Sequence, residues 1–275
     1  MEKPAISVII STYNAPKWLT KTLVGYGCQS IKNFELVIAD DGSTESTKSV
    51  INSFRNKFQF PIQHIWHEDD GFQKSKILNK AILACKSDYI LMSDGDCIPR
   101  KDFLEVHLNK RQPNHFLSGG YYKLPMSTSQ KITKEDIENQ LCFDLDWLKE
   151  NGVKKSYKNI KFKVSGATEV LLNRFTPTKS TWNGHNASGW KQDIMEVNGM
   201  DERMQYGGQD RELGERLMNK GINGIQIRYS AVCIHLDHAR GYAKKESIEK
   251  NLAIRKHTKE TKSTWTKFGI VKGQD

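Results

Sequence analysis

Four apolar runs between Ile6 and Ser93, each closed by a polar turn and followed by a stretch with helical spacing, constrain the possible folds most. Ile6–Ser11 reads as a buried strand, closed by Thr12-Tyr13-Asn14 and followed by a helix carrying Trp18, Leu19, Leu23 and Val24. Phe34–Asp40 reads as a second buried strand, closed by Asp41-Gly42-Ser43-Thr44. Ser43 or Thr44 is placed to cap a helix with Val50, Ile51 and Phe54 on one side. Pro61–His67 is the third run, ahead of Gly71-Phe72-Gln73 and a helix through Lys76, Asn79 and Ala84. Asp88–Ser93 is the fourth. Strands alternating with helices predict a mainly parallel sheet with crossover connections. In such a sheet, ligands bind beyond the carboxyl ends of the strands.

The fourth run ends in Asp94-Gly95-Asp96, two carboxylates on a turn that glycine allows to bend sharply. A loop with two hard oxygen ligands can hold a divalent cation, which in turn can grip a diphosphate. No glycine-rich dinucleotide fingerprint and no phosphate-binding P-loop sequence follows any of the strands, which argues against a nicotinamide enzyme or an ATPase. A nucleotidyltransferase would carry a glycine-rich, basic loop after its first strand, and Ser11-Thr12-Tyr13-Asn14 is unlike one.

Val8–Asn14, Ala39–Thr44 and Ser93–Asp96 together resemble the signature of the inverting family 2 glycosyltransferases. Gly184–Ser188, Val197–Glu202 and Tyr206–Glu212 are similar to the C-terminal part of β-1,4-galactosyltransferase-like and bacterial chondroitin-polymerase-like enzymes. The matched stretch runs from about Ala5 to about His238. The resemblance implies the GT-A fold: α/β, with a Rossmann-like, mixed but mainly parallel sheet flanked by helices, and a C-terminal acceptor-side lobe. It implies a UDP-sugar donor, a Mn²⁺ or Mg²⁺ cofactor with Mn²⁺ favoured, and transfer to a glycan hydroxyl. The acceptor would be a bacterial surface glycan such as a lipooligosaccharide, O-antigen or capsule, lipid-linked or free. A non-catalytic sugar- or nucleotide-binding homologue is the alternative, and release of UDP would separate the two.

The same resemblance assigns roles residue by residue. Ser11, Tyr13 and Asp41 would contact the base and ribose, with Asp41 accepting the ring N–H; Asp40 is left as structural. Asp94 would lie by the ribose or a metal-bound water, and Asp96 and His235 would be the metal ligands, with His238 the second choice of imidazole. Lys76 would reach uracil or phosphate, whereas Lys74 and Lys80 read as solvated; Leu78 replaces a polar or basic residue of the relatives. Asn186, Ser188, Gly208 and Gln209 would line the sugar and acceptor pocket. Trp182 and Trp190 are open between sugar platforms and core residues. Asp210 would be the general base, at the start of a helix read over Arg211–Asn219 and ended by Lys220-Gly221. A helix N-terminus favours the ionised carboxylate that can accept a proton, although an Asp there also serves as a cap. Gln209 departs from the family's usual Glu, and this puts donor-sugar or acceptor preference in doubt.

The chain of 275 residues is long enough for one α/β domain. The expected division is a GT-A domain over 1–240, with a nucleotide-binding half (1–120) and a sugar and acceptor half (121–240), then a basic tail or helix over 241–275. The start Met1-Glu2-Lys3-Pro4 does not read as a secretory signal, and no apolar run is long enough to span a membrane. The five cysteines have no metal-like spacing and read as free thiols of a cytoplasmic protein. Lys and Arg number 42 against 32 Asp and Glu, a net charge of +10. A basic surface suits an anionic membrane or glycan; nucleic acid is not expected, since no nucleic-acid module is present. The segment Lys244–Lys272 places Ile248, Leu252, Ile254, Trp265, Phe268 and Ile270 among lysines. It reads equally as a peripheral anchor at the inner membrane face or as a helix packed on the domain.

Overall fold

The computed structural model describes residues 2–239 and 244–272. The chain opens with the expected alternation: β1 (Ile6–Thr12), α1 (Pro16–Gly27), β2 (Phe34–Asp40), α2 (Glu45–Arg55), β3 (Ile62–Trp66), α3 (Lys74–Ala84) and β4 (Tyr89–Asp94). β1 pairs in parallel with β2 and β4, and β2 with β3. Ile6, Val8 and Ile10 of β1 join one hydrophobic cluster with Leu19 and Leu23 of α1. Ile9 joins a second cluster with Ile77 and Ala81 of α3. A strand covered on both faces needs the uninterrupted apolar run seen in the sequence. α1 begins at Pro16, whose fixed φ suits a first helical turn. β3 is one of the two edge strands and half-buried.

Beyond β4 the alternation stops. β5 (Cys97–Pro99), α4 (Phe103–Lys110), β6 (His115–Ser118) and β7 (Gly120–Lys123) lead into α5 (Met126–Lys131), α6 (Lys134–Glu138), α7 (Leu145–Glu150) and α8 (Gly166–Phe175). β8 (Ala187–Trp190), α9 (Lys191–Glu196), α10 (Gln209–Asn219), β9 (Asn223–Gln226), β10 (Val232–His235) and α11 (Lys245–Glu260) follow. The main sheet has seven strands in the order β3-β2-β1-β4-β8-β6-β9, with β8 antiparallel to both β4 and β6. It is mixed, mainly parallel and flanked by helices, as expected. A second sheet, β5-β10-β7, sets His235 opposite Cys97 across an antiparallel pair. This pairing brings a histidine far along the chain to the residue after Asp96.

The basic tail packs on the domain. α11 lies against α10, where Arg255 pairs with Glu215 at 2.5 Å and Thr258 donates to Glu212 at 3.0 Å. Past α11, Thr266 donates to Asp201 at 2.7 Å and the Ile270 N–H to the Asn198 carbonyl at 3.1 Å. The anticipated boundary at 240/241 falls outside the described residues.

Both tryptophans belong to the packing rather than to a sugar platform. Trp182 is fully buried, with its N–H directed at the Met92 sulfur at 3.4 Å and Gly214 backed against it so closely that a Cβ there would lie 2.8 Å away. Trp190 meets Tyr89 edge-on and donates to the Gln112 carbonyl at 2.9 Å. All five cysteines are free.

Candidate active site

The carboxyl ends of β1, β2 and β4, the starts of α3 and α10, and the end of β10 border one open cleft of about 1930 Å³. Nine of the twelve candidate residues line it: Ser11, Tyr13, Asp41, Asp94, Asp96, Gly208, Gln209, Asp210 and His235.

Gly95 ties the acidic turn to β1. Its N–H donates to the Ser11 carbonyl at 2.8 Å, and a Cβ there would sit 3.1 Å from that oxygen. Close approach, rather than an unusual φ, is what requires glycine here. The β1–β4 register sets Ser11 opposite Asp94, and the Ser11 hydroxyl donates to Asp94 at 2.6 Å. Lys74 contacts the same oxygen at 2.7 Å. Burial pushes the Asp94 carboxyl up, but the Lys74 ammonium and the Ser11 hydroxyl hold it below the ordinary carboxylate range.

Asp96 faces two imidazoles, with His238 Nε2 at 3.1 Å and His235 Nε2 at 3.8 Å. Nδ1 of His235 lies 2.7 Å from the Leu236 carbonyl, which assigns the proton to Nδ1 and leaves the Nε2 lone pair toward Asp96. Ligand atoms of Asp96, Cys97 and His235 all lie within 4.8 Å of one another. Burial raises the Cys97 thiol well above its usual value. The carboxylate of Asp96 and the imidazole of His235 are donors that can hold a divalent cation.

Asp41 accepts from the Gln73 N–H at 3.0 Å and lies 2.8 Å from His67 Nε2. Burial raises its carboxyl, against the pull of the His67 ring. Asp40, as expected, is structural: it is fully buried and engaged by the Ser43 N–H and His64. Tyr13 is half exposed and donates to Asp69 at 2.8 Å.

On the opposite wall, Gly207 and Gly208 take positive φ values of 114° and 85°, and α10 starts directly after them. Asp210, in its first turn, accepts from the Gly184 N–H at 3.0 Å and from its neighbour Arg211 N–H at 2.8 Å. Gln209 accepts from the Gly207 N–H at 3.0 Å. The Asn251 amide of α11 donates to the carbonyls of Gln205, Tyr206 and Gly207, so α11 holds the loop that delivers Asp210. A Cβ on Gly208 would meet Arg255 at 3.1 Å. The glycine pair therefore answers to backbone shape and to α11.

Three candidates lie away from the cleft. Lys76 is exposed on the outer face of α3, while Lys74, two residues earlier and so about 200° around the helix, points inward. The placements expected of the two lysines are thus reversed: Lys74 faces the cleft and Lys76 the solvent. Asn186 and Ser188 are fully buried. Asn186 lies 2.9 Å from His107 Nε2 and donates to the carbonyls of Gly120 and Ala231 at 2.9 and 3.0 Å. Ser188 lies 2.7 Å from His107 Nδ1 and 2.8 Å from the Tyr89 hydroxyl. All this polar capacity is spent inside the protein, beneath the site. His185, next to Asn186 in the same motif, carries no role in the sequence reading. It lines the cleft against Tyr121, and burial lowers its imidazole to about 4.

Residues 7–167 match the family model described as Glycosyl transferase family 2, and the chain belongs to that family. It is 25% identical over 280 residues to YfnE, an uncharacterized glycosyltransferase of Bacillus subtilis, covering 90% of this chain and 68% of that one. It is 25% identical over 238 residues to the chondroitin synthase of Escherichia coli, covering 78% of this chain but only 32% of that protein. Among solved structures, TarS 1–349 from S. aureus in complex with UDP matches with a TM-score of 0.60 at 15% identity, over 94% of this chain and 68% of that one. A mannosyltransferase from Pyrobaculum calidifontis in complex with GDP-Man and Mn²⁺ matches with a TM-score of 0.59 at 16% identity, over 88% of this chain and 59% of that one. The shared architecture is the GT-A fold.

Proposed function

We propose that this chain moves a hexose-type sugar from a UDP-sugar, with inversion, to a hydroxyl of a bacterial surface glycan. The observation that carries the reading is the meeting of Asp96, His235 and Asp210 in one cleft of a family 2 chain. The relatives add support: one is a chondroitin synthase, another a poly(ribitol-phosphate) beta-N-acetylglucosaminyltransferase. One structural neighbour holds UDP and another GDP-Man with Mn²⁺.

Ser11, Tyr13 and Asp41 would bind the base and ribose. Asp94, kept ionised by Lys74, would sit by the ribose. Asp96 and His235 would hold Mn²⁺, or Mg²⁺; the bound cation would offset charge on the departing diphosphate. Asp210, in the first turn of a helix, would accept the acceptor's hydroxyl proton as that oxygen attacks the anomeric carbon opposite the leaving group. Gly184 and Arg211 fix its carboxylate by their N–H groups. Gly208 and Gln209 would lie against the sugar. Residues 1–120 would form the nucleotide half and 121–240 the sugar and acceptor half, with α11 bracing the latter. The work would be done on the cytoplasmic side; among the described residues, no helix is long and apolar enough to cross a membrane.

The test is metal-dependent release of UDP and transfer of sugar across a panel of UDP-sugars. Asp96→Ala is expected to abolish turnover with an unchanged unfolding curve. Full wild-type turnover in excess chelator would refute the metal, and absence of UDP release with every donor would favour the binding homologue.

A further inference from the structure

α8 faces the wrong way for a helix packed on a domain. Its inward contacts are polar: Glu169 accepts from the Ser230 hydroxyl and lies 3.5 Å from Lys110, and Asn173 bonds the Ser230 hydroxyl at 2.8 Å and the Tyr229 N–H at 3.0 Å. Asn173 is the one buried residue of the helix. Val170, Leu171 and Phe175 are 55%, 56% and 70% exposed. With Ala167 and Arg174 they follow the i, i+3, i+4, i+7, i+8 pattern that normally marks the core face. An apolar stripe held outward by a polar face signals a surface that something else covers.

The surrounding charge says what kind of surface that is. Lys154 to Lys179 contains seven Lys and Arg residues and a single acidic residue, Glu169, which is turned inward. Lys154, Lys155, Lys158, Lys163, Arg174 and Lys179 are all exposed, as is Tyr157 at 84%. A second copy of this chain would set the same cations against each other, on a molecule of net charge +10. We infer that the outer face of α8, with its flanking lysines, docks the protein on an anionic lipid surface. The apolar stripe of this ten-residue helix, about 15 Å long, enters the boundary between headgroups and acyl chains, and the cations meet lipid headgroups. Outside the cleft, the tail's exposed large apolar residues, among the described residues, are only Trp265 and Val271, six positions apart and not on one helix face. Ile270 of the tail packs against the core, Phe268 lies under Arg203 at 3.7 Å, and Ile248 and Leu252 line the cleft.

The experiment is flotation of the full chain with phosphatidylglycerol–phosphatidylcholine vesicles and with phosphatidylcholine alone, and its readout is independent of sugar transfer. Wild type is expected to float with the anionic vesicles and to be released as salt rises. Leu171→Gln/Phe175→Gln, which alters only exposed side chains, should lower partitioning at least tenfold with an unchanged melting curve. Lys163→Gln/Arg174→Gln/Lys179→Gln should do the same on anionic vesicles. Trp265→Gln/Val271→Gln in the tail should float as wild type does. Three results would each overturn the inference: no preference for anionic lipid, undiminished binding by either α8 variant, or loss of binding in the tail variant alone. A dimer in sedimentation that Leu171→Gln/Phe175→Gln converts to monomer would overturn it in favour of a second copy.

Discussion

On one wall of the cleft, Ser11, Asp41 and Asp94 stand at the ends of adjacent parallel strands, and ladder register sets their spacing. On the other, Asp210 stands at the start of α10, where its own helix supplies one contact, the Arg211 N–H, and the rest come from elsewhere. Its loop is held from α11 by Asn251, 44 residues beyond Gly207, and its carboxylate is held from Gly184. The first wall inherits rigidity from backbone hydrogen bonds shared among β2, β1 and β4. The second is assembled from side-chain contacts between distant segments. The first kind of wall suits a nucleotide, the common part of many donors. The second can change with the acceptor, because each contact can be replaced without disturbing a ladder.

If the second wall carries the chemistry, its largest effect is at Asp210. Asp210→Asn keeps the volume and one accepted N–H but cannot take a proton. Transfer is expected to fall by roughly 10²–10⁴-fold, with UDP-sugar affinity changed only severalfold. Near-normal transfer would reduce Asp210 to a helix cap, since Glu212 and Asp201, the nearby carboxylates, are buried and paired away from the cleft.

Beneath that wall, His107 offers a test that does not depend on activity. Burial lowers its imidazole from 6.5 to about 3, so it stays neutral between Asn186 and Ser188. Unfolding exposes a ring that takes up a proton near pH 6.5. Between about pH 6.5 and 3 the unfolded chain therefore binds the extra proton. Stability contributed by this group falls as pH falls, by about 1.4 kcal/mol per pH unit. His107→Gln should flatten the acid side of the stability curve by that slope when denaturant unfolding is compared at pH 6, 5 and 4. Parallel curves would mean that the buried ring is already protonated in the folded protein.

The same contrast explains what could be read from the amino acids alone. β1, β2 and β4 are local: apolar runs with acidic turns at their ends announce both the strand and the functional loop. The place of Asp210 at a helix start was legible because the two glycines before it are local too. Asn186 and Ser188 were misplaced because a motif gives no direction. β8 is antiparallel between β4 and β6, and its polar side chains turn toward His107 rather than the cleft. The tail's apolar residues gave no sign of a partner, since their partners lie on α10 and in the loop at Asn198, far away in sequence. The outward stripe of α8 has ordinary amphipathic spacing, and only the contacts of Glu169 and Asn173 reveal which face is inside.

A smaller effect sharpens the comparison on the first wall. Lys74 and Lys76 are two residues apart, yet only Lys74 reaches Asp94 and the cleft. Lys74→Ala removes a charge-assisted contact worth about 1.5–3 kcal/mol, and is expected to weaken UDP-sugar binding at least tenfold by calorimetry. Lys76→Ala should stay within about twofold, in line with an exposed lysine. The reverse order would mean that α3 is rotated in the donor complex.

The smallest effect belongs to Gln209, which lines the cleft and is proposed to lie against the sugar. Its carbonyl oxygen accepts from the Gly207 N–H, and a glutamate could accept the same bond at a helix N-terminus that favours negative charge. Gln209→Glu should therefore leave the fold and the Asp210 carboxylate in place. What it removes is the amide N–H₂, the only donor this side chain can offer a sugar oxygen. A carboxylate there accepts from sugar hydroxyls but cannot donate to a carbonyl, such as that of an N-acetyl group. The expected outcome is total transfer within a few-fold of wild type, with a changed ratio of rates between UDP-hexoses and UDP-N-acetylhexosamines. An unchanged ratio would show that Gln209 serves only to hold Gly207, and that preference is set elsewhere on the wall braced by α11.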